Sequence, residues 1–87
     1  MKIKKDFIIR VVGGEHVVVP IGKEAKRFQG MITLNETGAF LWEFFTKAHT
    51  VEEATKALME AYNVEEETAR NDAVAFAETL ENNDFIE

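Results

Sequence analysis

Cysteine is absent from the 87 residues, and proline occurs once, at Pro20. Without cysteine the chain has no disulfide framework, no thiolate metal site and no thiol nucleophile, which fits a reducing compartment. No stretch approaches the roughly 18 consecutive apolar residues that span a membrane. The charged start, Met1 to Asp6, lacks the apolar run of a signal peptide. We therefore expect a cytoplasmic protein that does not contact membranes.

Side chains that carry out catalysis are also scarce. The two histidines, His16 and His49, are far apart and lack the spacing to other ligands that metal sites require. Gly13-Gly14 is typical of a tight hairpin turn, not of a phosphate-binding loop. The three glutamates at 65–67 fit the first turn of a helix, where negative charge is favourable. The sequence thus predicts a protein that is not an enzyme and needs no metal or cofactor.

The charges are divided unevenly along a chain that is long enough for one domain. Residues 1–34 carry seven Lys/Arg and three Asp/Glu, a balance of +4, whereas residues 35–87 carry three and thirteen, a balance of −10. One interpretation is a set of solubilising helix faces. The other is a basic strand region that attracts an acidic peptide.

Three strands are predicted before the first helix. Residues 7–12 and 15–19 are rich in β-branched side chains, and the glycine pair between them predicts a hairpin. A polar connection, Ile21 to Arg27, leads to a third strand, Phe28 to Leu34. One face of that strand is expected to be directed at the core, because strand side chains alternate with a period of two. It comprises Phe28, Gly30, Ile32 and Leu34.

Three helices are predicted after the strands. Asn35 is the N-cap of a helix that runs to about Phe45, and Thr50-x-x-Glu53 is a capping box that opens the second. The third begins at the glutamates 65–67 and ends at Asn82-Asn83, which tolerate left-handed conformations. Residues expected to face the core are Phe40, Leu41, Trp42, Phe44, Phe45, Val51, Ala54, Leu58, Ala61, Ala69, Ala73, Phe76, Ala77, Leu80, Phe85 and Ile86.

The predicted fold class is α+β, a three-stranded antiparallel β-sheet followed by three helices, similar to a winged helix-turn-helix. Winged helices often bind DNA through a basic helix. The third predicted helix has one cation, Arg70, and five acids, namely Glu65, Glu66, Glu67, Asp72 and Glu78. Repulsion from the phosphates disfavours nucleic-acid binding through that face.

The third strand is an edge if the sheet is a meander. It carries neither charge nor proline, the features with which proteins usually protect an edge strand. An extended peptide can add to such an edge. Coverage of the edge by the protein's own tail or by a dimer partner is the alternative, and the residues leave both open.

One block of sequence is more distinctive than the rest: Gly30-Met31-Ile32-x-Leu34-Asn35-Glu36-Thr37, followed by Ala39-x-x-Trp42-Glu43. Thr50-Val51-Glu52-Glu53, Asp72-x-x-x-Phe76-x-x-x-Leu80 and the final Asp84-Phe85-Ile86 accompany it. From about residue 6 to its end, the chain resembles the coenzyme PQQ synthesis protein D family. The resemblance implies one domain, residues 1–87, that acts as a peptide chaperone. It would bind the leader of a ribosomally made precursor peptide by strand addition and present it to a modifying enzyme, often a radical S-adenosylmethionine enzyme.

Carried onto this chain, the family's peptide-binding site is the third strand and one flank of the third helix. The strand side comprises Phe28, Gln29, Gly30, Met31, Ile32, Thr33 and Leu34. The helix side comprises Arg70, Val74 and Ala77, a flank favoured over that of Asp72 because Val74 is apolar and lies off the buried stripe. Lys23, Lys26 and Arg27 are expected to steer an acidic leader.

Two further expectations concern the product and the alternative function. Family members that serve quinone synthesis often carry a Tyr-Pro-Glu-Gly-like turn before the third strand. This chain has a longer connection, from Pro20 to Phe28, so we expect a peptide product other than PQQ. The alternative function is a winged-helix interaction or regulatory module, with a homodimer through the edge strand as one form of it.

Overall fold

The computed structural model describes residues 1–27 and 32–87, and its sheet begins with a β-hairpin. Strand β1 (Phe7–Val12) pairs antiparallel with β2 (Glu15–Pro20), from Phe7 opposite Pro20 to Val12 opposite Glu15. Gly13 and Gly14 have φ angles of 59° and 83°. A two-residue hairpin turn of this kind needs positive φ at both positions, which glycine adopts without strain. The predicted hairpin is confirmed.

The third strand, β3 (Ile32–Leu34), pairs antiparallel with β2, with His16 opposite Leu34. The strand order is β1-β2-β3, so β3 is an edge of a meander as predicted. Ile32 and Leu34 are half-buried against the core, and Thr33 between them is exposed. The rest of the predicted strand, residues 28–31, lies outside the described residues.

Part of the predicted polar connection forms a one-turn helix, α1 (Glu24–Arg27), which the sequence pattern did not indicate. Gly22, with φ of 61°, turns the chain into it, and the amide of Ala25 donates to the carbonyl of Gly22 at 3.2 Å. Four residues are too few to display the helical period of 3.6, so hydrophobic periodicity cannot reveal such an element.

Three longer helices follow: α2 (Glu36–Phe44), α3 (Val51–Tyr62) and α4 (Glu66–Asn82). The side chain of Asn35 accepts a hydrogen bond from the amide of Gly38 at 2.7 Å, which confirms the predicted N-cap. The capping box is also present: the amide of Thr50 donates to Glu53 Oε1 at 2.9 Å, and Thr50 Oγ1 accepts from the amide of Glu53 at 3.1 Å. The Thr50 amide stabilises the carboxylate and so lowers the pKa of Glu53.

Two details of the helices differ from the sequence prediction. Ala61 is exposed, not directed at the core. In the last turn of α3 the larger Tyr62 packs inward instead, with its ring 5.5 Å from that of Phe40. After α4 the left-handed residue is Asp84, with φ of 56°, whereas Asn83 has φ of −100°. Asn83 instead donates its side-chain amide to the carbonyl of Thr79, so the chain reverses one residue later than expected.

The hydrophobic core lies where α2 meets the sheet, α3 and α4. Trp42 and Phe45 of α2 are almost completely buried, as is Phe85 from the end of the chain. The ring of Phe85 lies 4.6 Å from that of Phe7 in β1 and 5.5 Å from that of Trp42. Backbone hydrogen bonds and a bridge between Ile3 and Ile86 hold the segment of Phe85 in place. The predicted return of residues 85 and 86 to the core is confirmed.

We predict that Phe85→Ala lowers the free energy of unfolding by about 3–5 kcal/mol, because it removes a ring that joins β1 to α2 and leaves a cavity. The matched control is Val11→Ala, at a side chain that is 66% exposed; its effect should stay within about 0.5 kcal/mol. Urea unfolding followed by Trp42 fluorescence measures both variants. A loss below about 1 kcal/mol for Phe85→Ala would contradict the central position of this ring.

Candidate functional site

The edge of β3 is the part of the sheet best suited to accept another strand. In residues 1–27 and 32–87, β3 pairs only with β2. In an antiparallel ladder every second residue directs its N–H and C=O groups away from the existing partner, so the outer side of β3 offers unpaired groups. The opposite edge, β1, carries Arg10, an exposed charge of the kind that discourages pairing. Ile32–Leu34 carries no charge.

A cleft of about 640 Å³ adjoins the end of β3, and we call it the hairpin cleft. Its lining comes from the hairpin turn, the start of β2, the end of β3 and the start of α2: Gly14, Glu15, His16, Thr33, Leu34, Asn35 and Glu36. The antiparallel register explains this composition, because Leu34 lies opposite His16 and therefore beside the turn. Among the described residues, the lining contains two carboxylates and one histidine and has no lysine or arginine.

A second cleft of about 250 Å³ lies between α2 and α4, and we call it the helix cleft. It is lined by Asn35, Thr37, Gly38, Leu41, Asp72, Ala75, Phe76 and Thr79. Leu41 and Phe76 are buried and form its apolar floor, whereas Asp72 is exposed at its rim. Asn35 lines both clefts, so they meet at the residue that caps α2.

The helical residues predicted for the site lie elsewhere on α4. The guanidinium of Arg70 is 3.1 Å from the carboxylate of Glu66 and 3.9 Å from that of Glu52, so Arg70 reaches towards α3. Val74 is 40% exposed and Ala77 is buried. Neither cleft is lined by any of these three residues; the flank of α4 that faces the helix cleft is that of Asp72, the flank not favoured from the sequence. The role of Arg70, Val74 and Ala77 in binding therefore stays a prediction.

The structure brings together only part of the remaining predicted site. Ile32, Thr33 and Leu34 form the open edge, but Phe28, Gln29, Gly30 and Met31 lie outside the described residues. Lys23 is exposed in the turn before α1. Lys26 and Arg27 belong to α1, which packs against β2, and their side chains are not among those described.

Sequence reasoning missed Glu15, His16 and Glu36 as residues of the site. A signal for them existed in the predicted meander. If β3 runs antiparallel to β2, its last residue must lie beside the hairpin turn, and the first turn of α2 must follow there. That step places residues from β2, β3 and α2 around one cleft.

The described residues show no cluster of side chains typical of a metal centre. Within residues 1–27 and 32–87, no group of three His, Asp or Glu side chains is close enough to hold a metal ion. In the same part of the chain every buried side-chain nitrogen or oxygen has a hydrogen-bond partner. No helix described there is long and apolar enough to cross a membrane.

Comparison with known proteins gives one family and two similar structures. The family model described as coenzyme PQQ synthesis protein D (PqqD) matches residues 15–86. The structure of TbiB1 in complex with the TbiA(beta) leader peptide is 22% identical, with a TM-score of 0.75 over 100% of this chain and 95% of that one. A lasso peptide synthetase B1 complexed with its leader peptide is 20% identical, with a TM-score of 0.70 over 94% and 91%. No curated protein matches the chain.

We predict that Asn35→Ala lowers the free energy of unfolding by about 1 kcal/mol, because the amide of Gly38 loses its acceptor at the start of α2. The matched control is Asn35→Asp, which keeps an acceptor and places a negative charge at the helix N-terminus, so it should retain wild-type stability. Thermal unfolding by circular dichroism measures both. Equal losses for the two variants would show that the cap is not the cause.

Proposed function

The chain belongs to the coenzyme PQQ synthesis protein D family, and we propose that it binds the leader of a ribosomally made precursor peptide without catalysing a reaction. The leader would add as a fourth strand to the outer side of β3. The observation that carries this proposal is the uncharged open edge of Ile32–Leu34, with the hairpin cleft at its end and the helix cleft beyond Asn35.

Strand addition divides affinity and selectivity between backbone and side chains. The unpaired N–H and C=O groups of β3 can bond to any extended peptide, so they supply affinity without reading sequence. Alternate side chains of the added strand point to opposite faces of the sheet. The helix cleft, with an apolar floor of Leu41 and Phe76, offers a place for one such side chain. The hairpin cleft offers a second place at the end of the strand.

The two similar structures support the proposal. Both contain a leader peptide bound to a protein of the same fold, and this chain covers more than nine-tenths of each. Because the identities are 22% and 20%, the likeness concerns the fold. For this chain, peptide binding rests on its family and on the open edge.

We further propose that the bound precursor is handed in the cytoplasm to a peptide-modifying enzyme, such as a radical S-adenosylmethionine enzyme. A product other than PQQ is supported by the connection between β2 and β3, which contains α1 in place of the Tyr-Pro-Glu-Gly-like turn. The alternative, a module that forms a homodimer through β3, predicts a dimer that survives dilution. Analytical ultracentrifugation distinguishes the two, since leader binding requires a free edge.

The direct test is an NMR titration of labelled protein with synthetic leader peptides encoded beside its gene. We predict chemical-shift changes at Ile32–Leu34 and around the two clefts. In a leader that binds, methylation of the backbone nitrogen should weaken binding roughly tenfold at every second position only, because alternate amides face β3. Weakening at all positions, or shifts that avoid β3, would exclude strand addition. Shifts at Val74 without shifts at Ala75 would favour the flank of Arg70 over that of Asp72.

The steering role of the basic residues before β3 can be tested separately. We predict that replacing Lys23, Lys26 and Arg27 with Glu slows association with an acidic leader by roughly tenfold at low salt and much less at high salt, because salt screens the attraction. The matched control replaces the exposed Lys5, Lys47 and Lys56, which line neither cleft, with Glu. Stopped-flow fluorescence measures both rates. Equal slowing would assign the effect to net charge alone.

A further inference from the structure

We propose that the peptide bound along β3 carries a lysine or arginine where it passes the end of the strand, and that Glu15 and Glu36 select it. This inference rests on the proposed strand addition and adds the chemistry of one peptide side chain to it. It applies to the hairpin cleft, which lies at the end of the open edge next to Leu34.

The two carboxylates that line the hairpin cleft come from different elements. Glu15 is the first residue of β2, directly after the hairpin turn, and Glu36 is the first residue of α2. Both are exposed, and in the described part of the chain neither forms an ion pair. The other acids at the ends of elements are often paired, as Asp84 is with Lys4 and Glu66 with Arg70. A cation that enters the cleft therefore meets two carboxylates that are free to bind it.

The shape of the site favours a long basic side chain over a small cation. A side chain of an added strand would start about 5 Å from the backbone of β3, one strand spacing away, close to Leu34, which is apolar and half-buried. The methylene groups of lysine or arginine can cover Leu34 while the charged end reaches the carboxylates. Beyond Asn35 the helix cleft repeats this combination, with an apolar floor and the carboxylate of Asp72 at its rim.

The segment before β3 in the sequence, residues 21–27, is basic on balance, with three cations and one acid, Glu24. Lys23, Lys26 and Arg27 precede the strand, whereas Glu36 follows it. A peptide with acidic residues at one end and a basic residue at the other would therefore meet complementary charges in only one direction along β3. Charge complementarity of this kind fixes direction and register more than it adds affinity.

The experiment selects binders from a displayed library of random peptides with the wild-type protein and with two variants of equal charge. Glu15→Gln/Glu36→Gln neutralises the hairpin cleft. Glu60→Gln/Glu81→Gln, the matched control, neutralises two exposed glutamates outside both clefts. Selected peptides are aligned, and their contact with β3 is verified by shifts at Ile32–Leu34.

We expect wild type and control to enrich lysine or arginine at one aligned position by about fivefold, the size of effect that two exposed ion pairs can produce. Glu15→Gln/Glu36→Gln should lose this enrichment, and Glu15→Lys/Glu36→Lys should favour Asp or Glu at the same position. High salt should weaken the preference.

Two results overturn the inference and leave the proposed function intact: β3-binding peptides with no basic position, or a basic position that persists in Glu15→Gln/Glu36→Gln. A loss of equal size in the control variant also overturns it, because net charge would then be the cause. If no peptide is enriched, or if enriched peptides leave β3 unshifted, strand addition itself fails and the inference fails with it.

Discussion

The burial of α2 between the sheet and the helices α3 and α4 is the interaction on which the rest of the structure depends. Trp42 and Phe45 on this helix are excluded from water, and the ring of Phe85 joins Trp42 to Phe7. Removal of this apolar surface from water is the main favourable term available to a domain of this size. Because α2 is held in place by this packing, its first turn is held as well, and Asn35 at that turn lines both clefts.

The edge of β3 is open because the core uses only its inward side chains and one side of its backbone. Ile32 and Leu34 pack inward, and pairing with β2 uses one side of the backbone. On the other side of the backbone, the N–H and C=O groups have no partner strand among the described residues. An added peptide would complete the ladder without disturbing the core, since its backbone bonds form at the edge and its side chains enter clefts that already exist. Little reorganisation of the protein is then needed on binding, which limits the cost of association.

The charge around each site in the structure differs from the charge balance counted along the sequence. From the sequence, the acidic back half reads as a property of the helices as a whole. In the structure, Glu52 and Glu66 surround Arg70 and leave α4 without a free basic group near its start. Glu15, by contrast, comes from the basic front half, yet it shares a cleft with Glu36. A balance counted along the chain therefore does not reveal the local charge of a site built from several elements.

The sequence by itself determined the hairpin, the caps of α2 and α3 and the buried stripe of α4, because these depend on neighbours within about four residues. It did not determine α1, which is too short for a periodic signal. Nor did it determine that Tyr62, and not Ala61, packs inward at the end of α3. Only the tertiary structure decided which flank of α4 borders a cleft. That choice depends on the rotation of the helix about its axis, which packing against α2 and α3 sets. It also decided that Glu15 and Glu36 line one cleft, because the register of β3 on β2 brings these two parts of the chain together.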